Sequence, residues 1–339
     1  MLTRELDYEL PEELIAQRPA EPRDSSRLMV VDVRERSIAH HAFRDLPHFL
    51  GPGDAVVVNE TKVLPARVLA HRPGGGASEL LFLRSLNADG GYGDDIWEVL
   101  VRPSRRLRGG MVLSAGGDKL RIVKPLEEGR WVVAGENVRG MLRRRGHAPL
   151  PPYIKATPEA EREYQTVYAR DEGSAAAPTA GFHFTERVLG EVEEVGARVS
   201  RVTLHVGVGT FAPVRTEKLE DHRMHAEYYR VPEETARALE DTRRVLAVGT
   251  TVARTLESWA ATGALEGESE LFIYPGYRWQ AVDTLLTNFH LPRSTLLAMV
   301  MSFAGKELVR TAYEAAVRQR YRFFSFGDTM LLLNGGRTR

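Results

Sequence analysis

Gly53-Asp54-Ala55-Val56-Val57-Val58-Asn59-Glu60-Thr61-Lys62 is the stretch on which the reading of the fold turns. Its apolar run reads as a buried strand, and a polar cluster at a strand's carboxyl end is where α/β folds place ligand contacts. Immediately after it the texture changes. Short strand-like runs alternate with glycine-rich turns: Ala66 to His71, Glu79 to Leu83, Trp97 to Arg102, Met111 to Ser114, Lys119 to Val123 and Trp131 to Ala134. Six short strands at this spacing predict a small closed β-barrel. After Tyr153 the α/β texture returns. The expected architecture is an α/β main domain built from both ends of the chain, residues 1–62 plus 151–339, interrupted by an inserted basic β-barrel domain, residues 63–150.

Working outward, Tyr8 to Ala16 reads as a helix with Pro11 at its first position, and Arg27 to Val33 as a buried strand. Downstream, Thr185 caps a helix beginning at Glu186, and Arg198 to Val206 is a strand with Val202, Leu204 and Val206 on one face. A helix is expected from Pro232 to Thr242. The strand Arg244 to Val248 leads through Gly249-Thr250-Thr251 into another helix. Leu271 to Tyr274 reads as a strand. Ser294 caps the apolar helix Thr295 to Ala304, a last helix runs from Lys306 to Arg320, and Tyr321 to Leu333 is a strand interrupted at Gly327-Asp328.

Composition narrows the function classes. At 339 residues and 43% hydrophobic the chain can bury a large core, so a disordered chain is excluded. It has no cysteine, which removes disulfides, cysteine-ligated metal sites and a thiol nucleophile. The first residues are charged, and the longest apolar run, Leu296 to Ala304, falls far short of the roughly 20 residues that span a membrane. A soluble cytoplasmic protein with no membrane partner is expected. The net charge is zero, but Thr61 to Leu150 carries 16 Lys/Arg against 9 Asp/Glu, leaving 30 against 37 elsewhere. A basic segment on an otherwise acidic chain suggests a polyanion docking on the barrel. Arg102, Arg105, Arg106 and Arg108 crowd one turn of it, and Arg143, Arg144 and Arg145 lie near its exit. Guanidinium groups grip phosphate in pairs of hydrogen bonds, although a solvated charge run reads the same way in sequence.

Ala177-Pro178-Thr179-Ala180-Gly181-Phe182-His183-Phe184 reads as a shaped loop that presents a histidine between two aromatics. Five of the ten histidines fall between residues 183 and 290. His183, His205 and His290 sit beside Gly, Thr or Asn in loop or strand-end settings, which favours a polar pocket over three separate core histidines. His222, His225 and Glu227 can be drawn as metal ligands, but their spacing is nonspecific and no metal is expected. Gly207-Val208-Gly209-Thr210-Phe211-Ala212 nominally matches a dinucleotide fingerprint. Pro213 falls where the required helix should run, so a glycine-lined turn that lets a ligand approach the backbone is the better reading.

The chain resembles one family along nearly its whole length. The residues that carry the resemblance are Asp7-Tyr8-x-Leu10-Pro11, Arg23-Asp24-x-Ser26-Arg27-Leu28, Asn59-x-Thr61-Lys62-Val63 with Arg67, and Ala177 to Phe184. They continue with Leu204-His205-Val206-Gly207-x-Gly209-Thr210-Phe211, Ala247-Val248-Gly249-Thr250-Thr251, Thr287-Asn288-Phe289-His290-Leu291-Pro292-x-Ser294-Thr295-Leu296-Leu297, and Tyr321 to Asp328. These are similar to the S-adenosylmethionine:tRNA ribosyltransferase-isomerases of queuosine biosynthesis. Departures are small: Phe182 stands where leucine is usual, Phe326 where tyrosine is common, and Glu268-Ser269-Glu270-Leu271 replaces a more usual Thr-Asp-Ile. The resemblance implies an α/β domain interrupted by a β-barrel. It also implies transfer and isomerisation of the ribosyl part of S-adenosylmethionine onto 7-aminomethyl-7-deazaguanine at the tRNA wobble position. Epoxyqueuosine forms, adenine and methionine leave, and no cofactor beyond the consumed S-adenosylmethionine is expected. A non-catalytic tRNA-binding module and an S-adenosylmethionine-dependent RNA methyltransferase are the alternatives. The chain is expected to act as a monomer.

The chemistry sets requirements that residues can meet. The sulfonium acidifies the neighbouring ribose methylene, so a base is needed, and adenine leaves well only when protonated or strongly hydrogen-bonded. His183, His205 and His290 are the candidate proton-handling groups, because imidazole titrates near neutral pH, with Asn288 beside them. Thr179, Gly181, Gly207, Gly209 and Thr210 are candidate substrate contacts. So are Gly249, Thr250 and Thr251, which would hold the methionine carboxylate at a helix start, and Asn59, Lys62 and Arg67. The arginines at 102, 105, 106, 108 and 143–145 are the candidate tRNA contacts.

Overall fold

A computed structural model describes residues 1–86, 95–207 and 213–334. Two compact units emerge. One comprises Met1–Thr61, Pro152–Asp171 and Pro178–Arg339; the other comprises Lys62–Pro151 and Glu172–Ala177.

The larger unit is organised by a nine-stranded mixed sheet. From one edge its strands are Glu266–Ser269, Glu227–Arg230, Arg198–Leu204, Asp54–Asn59, Arg244–Val248, Thr284–Asn288, Thr329–Leu333, Arg27–Asp32 and Ser37–Ala42. The four central strands, from Arg198–Leu204 to Thr284–Asn288, run parallel. Thr329–Leu333 pairs antiparallel with Thr284–Asn288 and parallel with Arg27–Asp32. Asp54–Asn59 is buried throughout, as a central parallel strand covered on both faces should be. Val56 and Val58 pack with Phe43, Phe184, Val188, Val192 and Leu246 in one core cluster. The Thr250–Thr262 helix buries Val252, Ala253 and Leu256.

The smaller unit contains a closed six-stranded barrel. Its strands are Arg67–His71, Ala77–Ser85, Asp95–Arg102, Val112–Ala115, Asp118–Pro125 and Arg130–Gly135. Alternation drives closure: Val68, Ala70, Leu113 and Ala115 point inward while Leu69, Val112 and Ser114 face out. Trp97 and Phe82 meet edge to face inside, with ring centroids 5.8 Å apart. The six strands and the α/β architecture expected from the sequence are both present.

Three local expectations fail, the first at Tyr321 to Phe326, where the chain makes a single bridge from Phe323 to Ile15 and turns at Phe324 with φ 68°, so that only Thr329–Leu333 is a strand. Residues 8–16 form no α-helix; Pro11 caps a single 3-10 turn, Glu12–Leu14, because neighbouring backbone groups bond elsewhere, as when Ala16 N donates to Phe323 O at 3.2 Å. Leu271–Tyr274 is not a strand. The sheet edge is Glu266–Ser269, and the following loop is held by a buried side chain. Glu257, wholly buried on the Thr250–Thr262 helix, accepts bonds from Tyr277 Oη at 2.9 Å and from the backbone N–H groups of Gln280, Ala281 and Val282 at 2.8, 2.7 and 3.0 Å. One carboxylate thus replaces a strand's ladder for three donors. Glu257→Ala strands those donors and should lower the free energy of unfolding by about 3 kcal/mol. Urea titration checks this; a loss below roughly 1 kcal/mol would show that the loop does not depend on Glu257.

Candidate active site

The expected site residues of the larger unit converge on the carboxyl edge of the four parallel strands, where crossovers leave room for a ligand. Asn59, His205, Gly249 and Asn288 each end or follow one of those strands. Asn59 is completely buried. Its Oδ1 accepts from Thr61 N and Leu204 N, both at 3.1 Å, and its Nδ2 donates to Leu204 O at 3.0 Å and Thr251 Oγ1 at 3.3 Å. All four of its hydrogen-bonding positions are therefore used inside the protein. It ties neighbouring strand ends to the start of a helix, rather than offering the free amide that a substrate contact needs.

His205 follows the Arg198–Leu204 strand and is half-buried. Its Nδ1 lies 2.8 Å from Thr61 Oγ1, and its ring stacks on Tyr228 with centroids 5.8 Å apart. Gly249, at φ 92°, lets the Arg244–Val248 strand turn directly into the Thr250–Thr262 helix. A β-carbon there would also meet Ala180 at 3.4 Å. The turn sets Thr250 and Thr251 at the helix N-terminus, on the same edge as Asn59.

Ala177-Phe184 contributes a 3-10 turn, Thr179–His183. Gly181 is required there: an added β-carbon would stand 1.9 Å from Tyr168 Oη. His183 is buried, and both ring nitrogens are engaged, Nδ1 with Ser26 Oγ at 2.7 Å and Nε2 with Asn288 Nδ2 at 3.3 Å. Thr179 Oγ1 donates to Asn288 Oδ1 at 2.9 Å. The Asn288 nitrogen can only donate, so His183 accepts at Nε2 and carries its proton on Nδ1, toward Ser26. Burial, reinforced by the Arg322 and Arg23 guanidiniums, pushes the His183 pKa down to about 3. His290 is buried as well, with Nε2 2.7 Å from Thr287 Oγ1, and burial alone lowers its pKa to about 3. Tyr313 Oη accepts from His290 N at 2.9 Å, and Tyr8 Oη donates to His290 O.

This geometry corrects one premise. Imidazole titrates near neutrality in water, but His183 and His290 are neutral hydrogen-bonding groups at physiological pH. His205 is the member of the trio that keeps contact with solvent.

Gly207 N donates to Glu227 Oε1 at 2.7 Å. Glu227 in turn forms a buried ion pair with Arg254 at 2.6 Å, and Arg254 also donates to the carbonyls of His225 and Ser269. Glu227 is thus a structural anchor of the turn after His205, and among the described residues no cluster of three ligand-type side chains could hold a metal. Gly209 and Thr210 lie outside the described residues. Ser26 and Arg254 were not foreseen as site components, and Glu227 was weighed only as a metal ligand. Ser26 carries no local signal, because its partner His183 lies 157 residues away.

The remaining candidates belong to the barrel unit. Lys62 pairs with Glu172 at 3.0 Å, and Arg67 donates to Leu150 O at 3.3 Å. Arg102, Arg105, Arg106 and Arg108 are exposed around the buried anchor Leu107, and none forms an ion pair with a described residue. Arg143, by contrast, pairs with Glu172 at 2.6 Å, and Arg144 and Arg145 share Asp118 at 2.9 and 2.6 Å. The first group offers unneutralised charge; the second is partly spent on the fold.

Residues 3–332 match the family model for queuosine biosynthesis proteins. The chain belongs to that family. It is 72% identical over 339 residues to the S-adenosylmethionine:tRNA ribosyltransferase-isomerase of Rubrobacter xylanophilus, covering 100% of this chain and 99% of the relative. It is 50% identical to the enzyme of the same name from Moorella thermoacetica, covering 98% and 100%. Among solved structures, an S-adenosylmethionine tRNA ribosyltransferase from Thermotoga maritima shares 37% identity with a TM-score of 0.57, over 97% of this chain and 100% of that one.

The buried histidines set a pH signature. Above the unfolded histidine value of about 6.5, both states are neutral and the stability is fully present. Below it the unfolded chain takes up protons that the folded chain refuses until about pH 3, so stability falls with pH. Each histidine should contribute a slope of about 1.4 kcal/mol per pH unit. In urea titrations from about pH 7 to 5, His183→Gln should flatten the decline by that amount. An unaltered slope would mean that His183 is not held neutral.

Proposed function

We propose that this chain transfers and isomerises the ribosyl moiety of S-adenosylmethionine onto 7-aminomethyl-7-deazaguanine at the wobble position of tRNA, giving epoxyqueuosine-tRNA, adenine and methionine. The observation that carries this reading is the full-length 72% identity to an enzyme of that name. Convergence of Thr179, His183, His205, Gly249 and Asn288 on one sheet edge supports it independently, because such an edge is where α/β folds receive small ligands.

The residues divide the work as follows. Asn288 and Thr179, oriented by the neutral His183, hydrogen-bond the ribose hydroxyls. Thr250 and Thr251, with the N-terminal N–H groups of their helix, receive the methionine carboxylate. His205 handles the proton: it takes one from the methylene next to the sulfonium, and the ring is available to return it as adenine departs. The incoming amine bonds to the sugar, and epoxide closure expels methionine as a neutral thioether. No metal or further cofactor enters this scheme. The exposed arginines at 102, 105, 106 and 108 contact tRNA phosphates, with Arg143 to Arg145 contributing less because their charges are already paired. The chain acts as a cytoplasmic monomer. Among the described residues no helix is long and apolar enough to cross a membrane.

Incubation with S-adenosylmethionine and tRNA bearing 7-aminomethyl-7-deazaguanine should release adenine and methionine in equal amounts. Formation of S-adenosylhomocysteine would identify a methyltransferase instead, and tRNA binding without adenine release would identify a binding module. His205→Gln should lower kcat by about 100-fold or more with little change in tRNA affinity. Near-normal turnover would remove His205 from the proton-handling role.

A further inference from the structure

The larger unit carries a cationic site of its own. The N-terminal segment, residues 213–217 and Arg293 are laced together by main-chain bonds: Thr3 N to Glu217 O at 2.9 Å, Leu219 N to Met1 O at 3.0 Å, Val214 N to Arg293 O at 2.8 Å, and Arg293 N to Leu6 O at 3.1 Å. Thr3 Oγ1 adds a bond to Thr216 O at 2.6 Å. The lacing encloses a pocket of about 440 Å³ whose polar lining includes Thr3, Arg4, Arg215, Thr216, Glu217 and Arg293.

Three features mark it as an anion site. Three guanidiniums from distant parts of the sequence face one pocket that carries a single carboxylate, Glu217. Arg4 and Arg215 are exposed, and neither forms an ion pair with a described residue; only Arg293 is paired, through its Nε with Asp7 at 2.8 Å. Thr216 Oγ1 is buried without a hydrogen-bond partner among the described residues, which is costly unless something completes it. Arg293 is held at φ 55°, a backbone state that non-glycine residues rarely adopt, and it lies three residues after His290. The same lacing bonds fix that conformation.

We infer that this pocket binds the phosphodiester backbone of the tRNA substrate, as a second electrostatic contact on the catalytic unit itself. The inference rests on the tRNA reading of the preceding subsection. Guanidinium groups suit phosphate because they donate two parallel bonds to it. Placing one such contact beside the loop that leaves His290 anchors the nucleic acid on the unit that carries the chemistry.

The test compares the variant Arg4→Ala/Arg215→Ala with Arg162→Ala/Arg237→Ala, which removes the same charge from exposed, already paired arginines of the same unit. Dissociation constants for substrate tRNA are measured by fluorescence anisotropy from about 50 to 200 mM salt. The pocket variant should bind roughly tenfold more weakly, and its log–log salt dependence should be shallower by about 2, one for each lost phosphate contact. Adenine release at saturating tRNA and the KM for S-adenosylmethionine should stay at wild-type values. Affinity and salt slope equal to those of the control variant would overturn the inference. So would an unchanged tRNA slope alongside lost thermal stabilisation by inorganic phosphate, which would assign the pocket to a free anion. Failure of the enzymatic reading is separately visible, as wild-type protein that binds tRNA but releases no adenine.

Discussion

The Asn59 side chain is the constraint on which the site depends. Four parallel strands end side by side, and their last backbone groups have no continuing ladder to satisfy them. One buried amide supplies two acceptor and two donor bonds, linking Thr61, Leu204 and Thr251. Without it, the turn that carries His205 and the helix start that carries Thr250 and Thr251 would have no common reference point. A residue whose hydrogen bonds are all spent within the protein can therefore govern where the candidate ligand contacts stand.

Around that fixed edge the polar groups fall into two kinds. His183, with both ring nitrogens on neutral partners, and His290, with Nε2 on Thr287, lie in low-dielectric surroundings and trade titration for orientation. The Ser26–His183–Asn288–Thr179 series is a chain of single-direction hydrogen bonds, and fixing one amide fixes every member. His205 remains partly solvated, with Nδ1 on Thr61 and its ring stacked on Tyr228. Neutral orienting groups beside one solvent-contacting imidazole suit a reaction that must first remove and later return a proton.

Much of this was legible in the chain. The alternating short runs from Ala66 to Ala134 specify the barrel because period-two burial leaves few other ways to close six strands. The Asp54–Asn59 run, Gly249 at a strand-to-helix turn, and the clustering of histidines pointed to one polar edge. What stayed hidden was long-range. Glu257 looks like an ordinary helix glutamate, yet it holds a loop more than twenty residues away. Ser26 and Arg254 gain meaning only from partners that the fold brings to them. Periodicity reports the burial of a residue, not the direction of its hydrogen bonds, and so it could not show that His183 and His290 are held neutral. The Tyr8–Ala16 helix failed for a related reason: its backbone bonds to Phe323, a distant partner that the local pattern does not show.

The central claim is that the carboxyl edge of the parallel strands receives S-adenosylmethionine. A crystal structure with S-adenosylmethionine bound tests it most directly. The account predicts ribose oxygens within hydrogen-bonding distance of Asn288 or Thr179, and the methionine carboxylate at Thr250 and Thr251. A ligand bound with neither end touching these residues would contradict it.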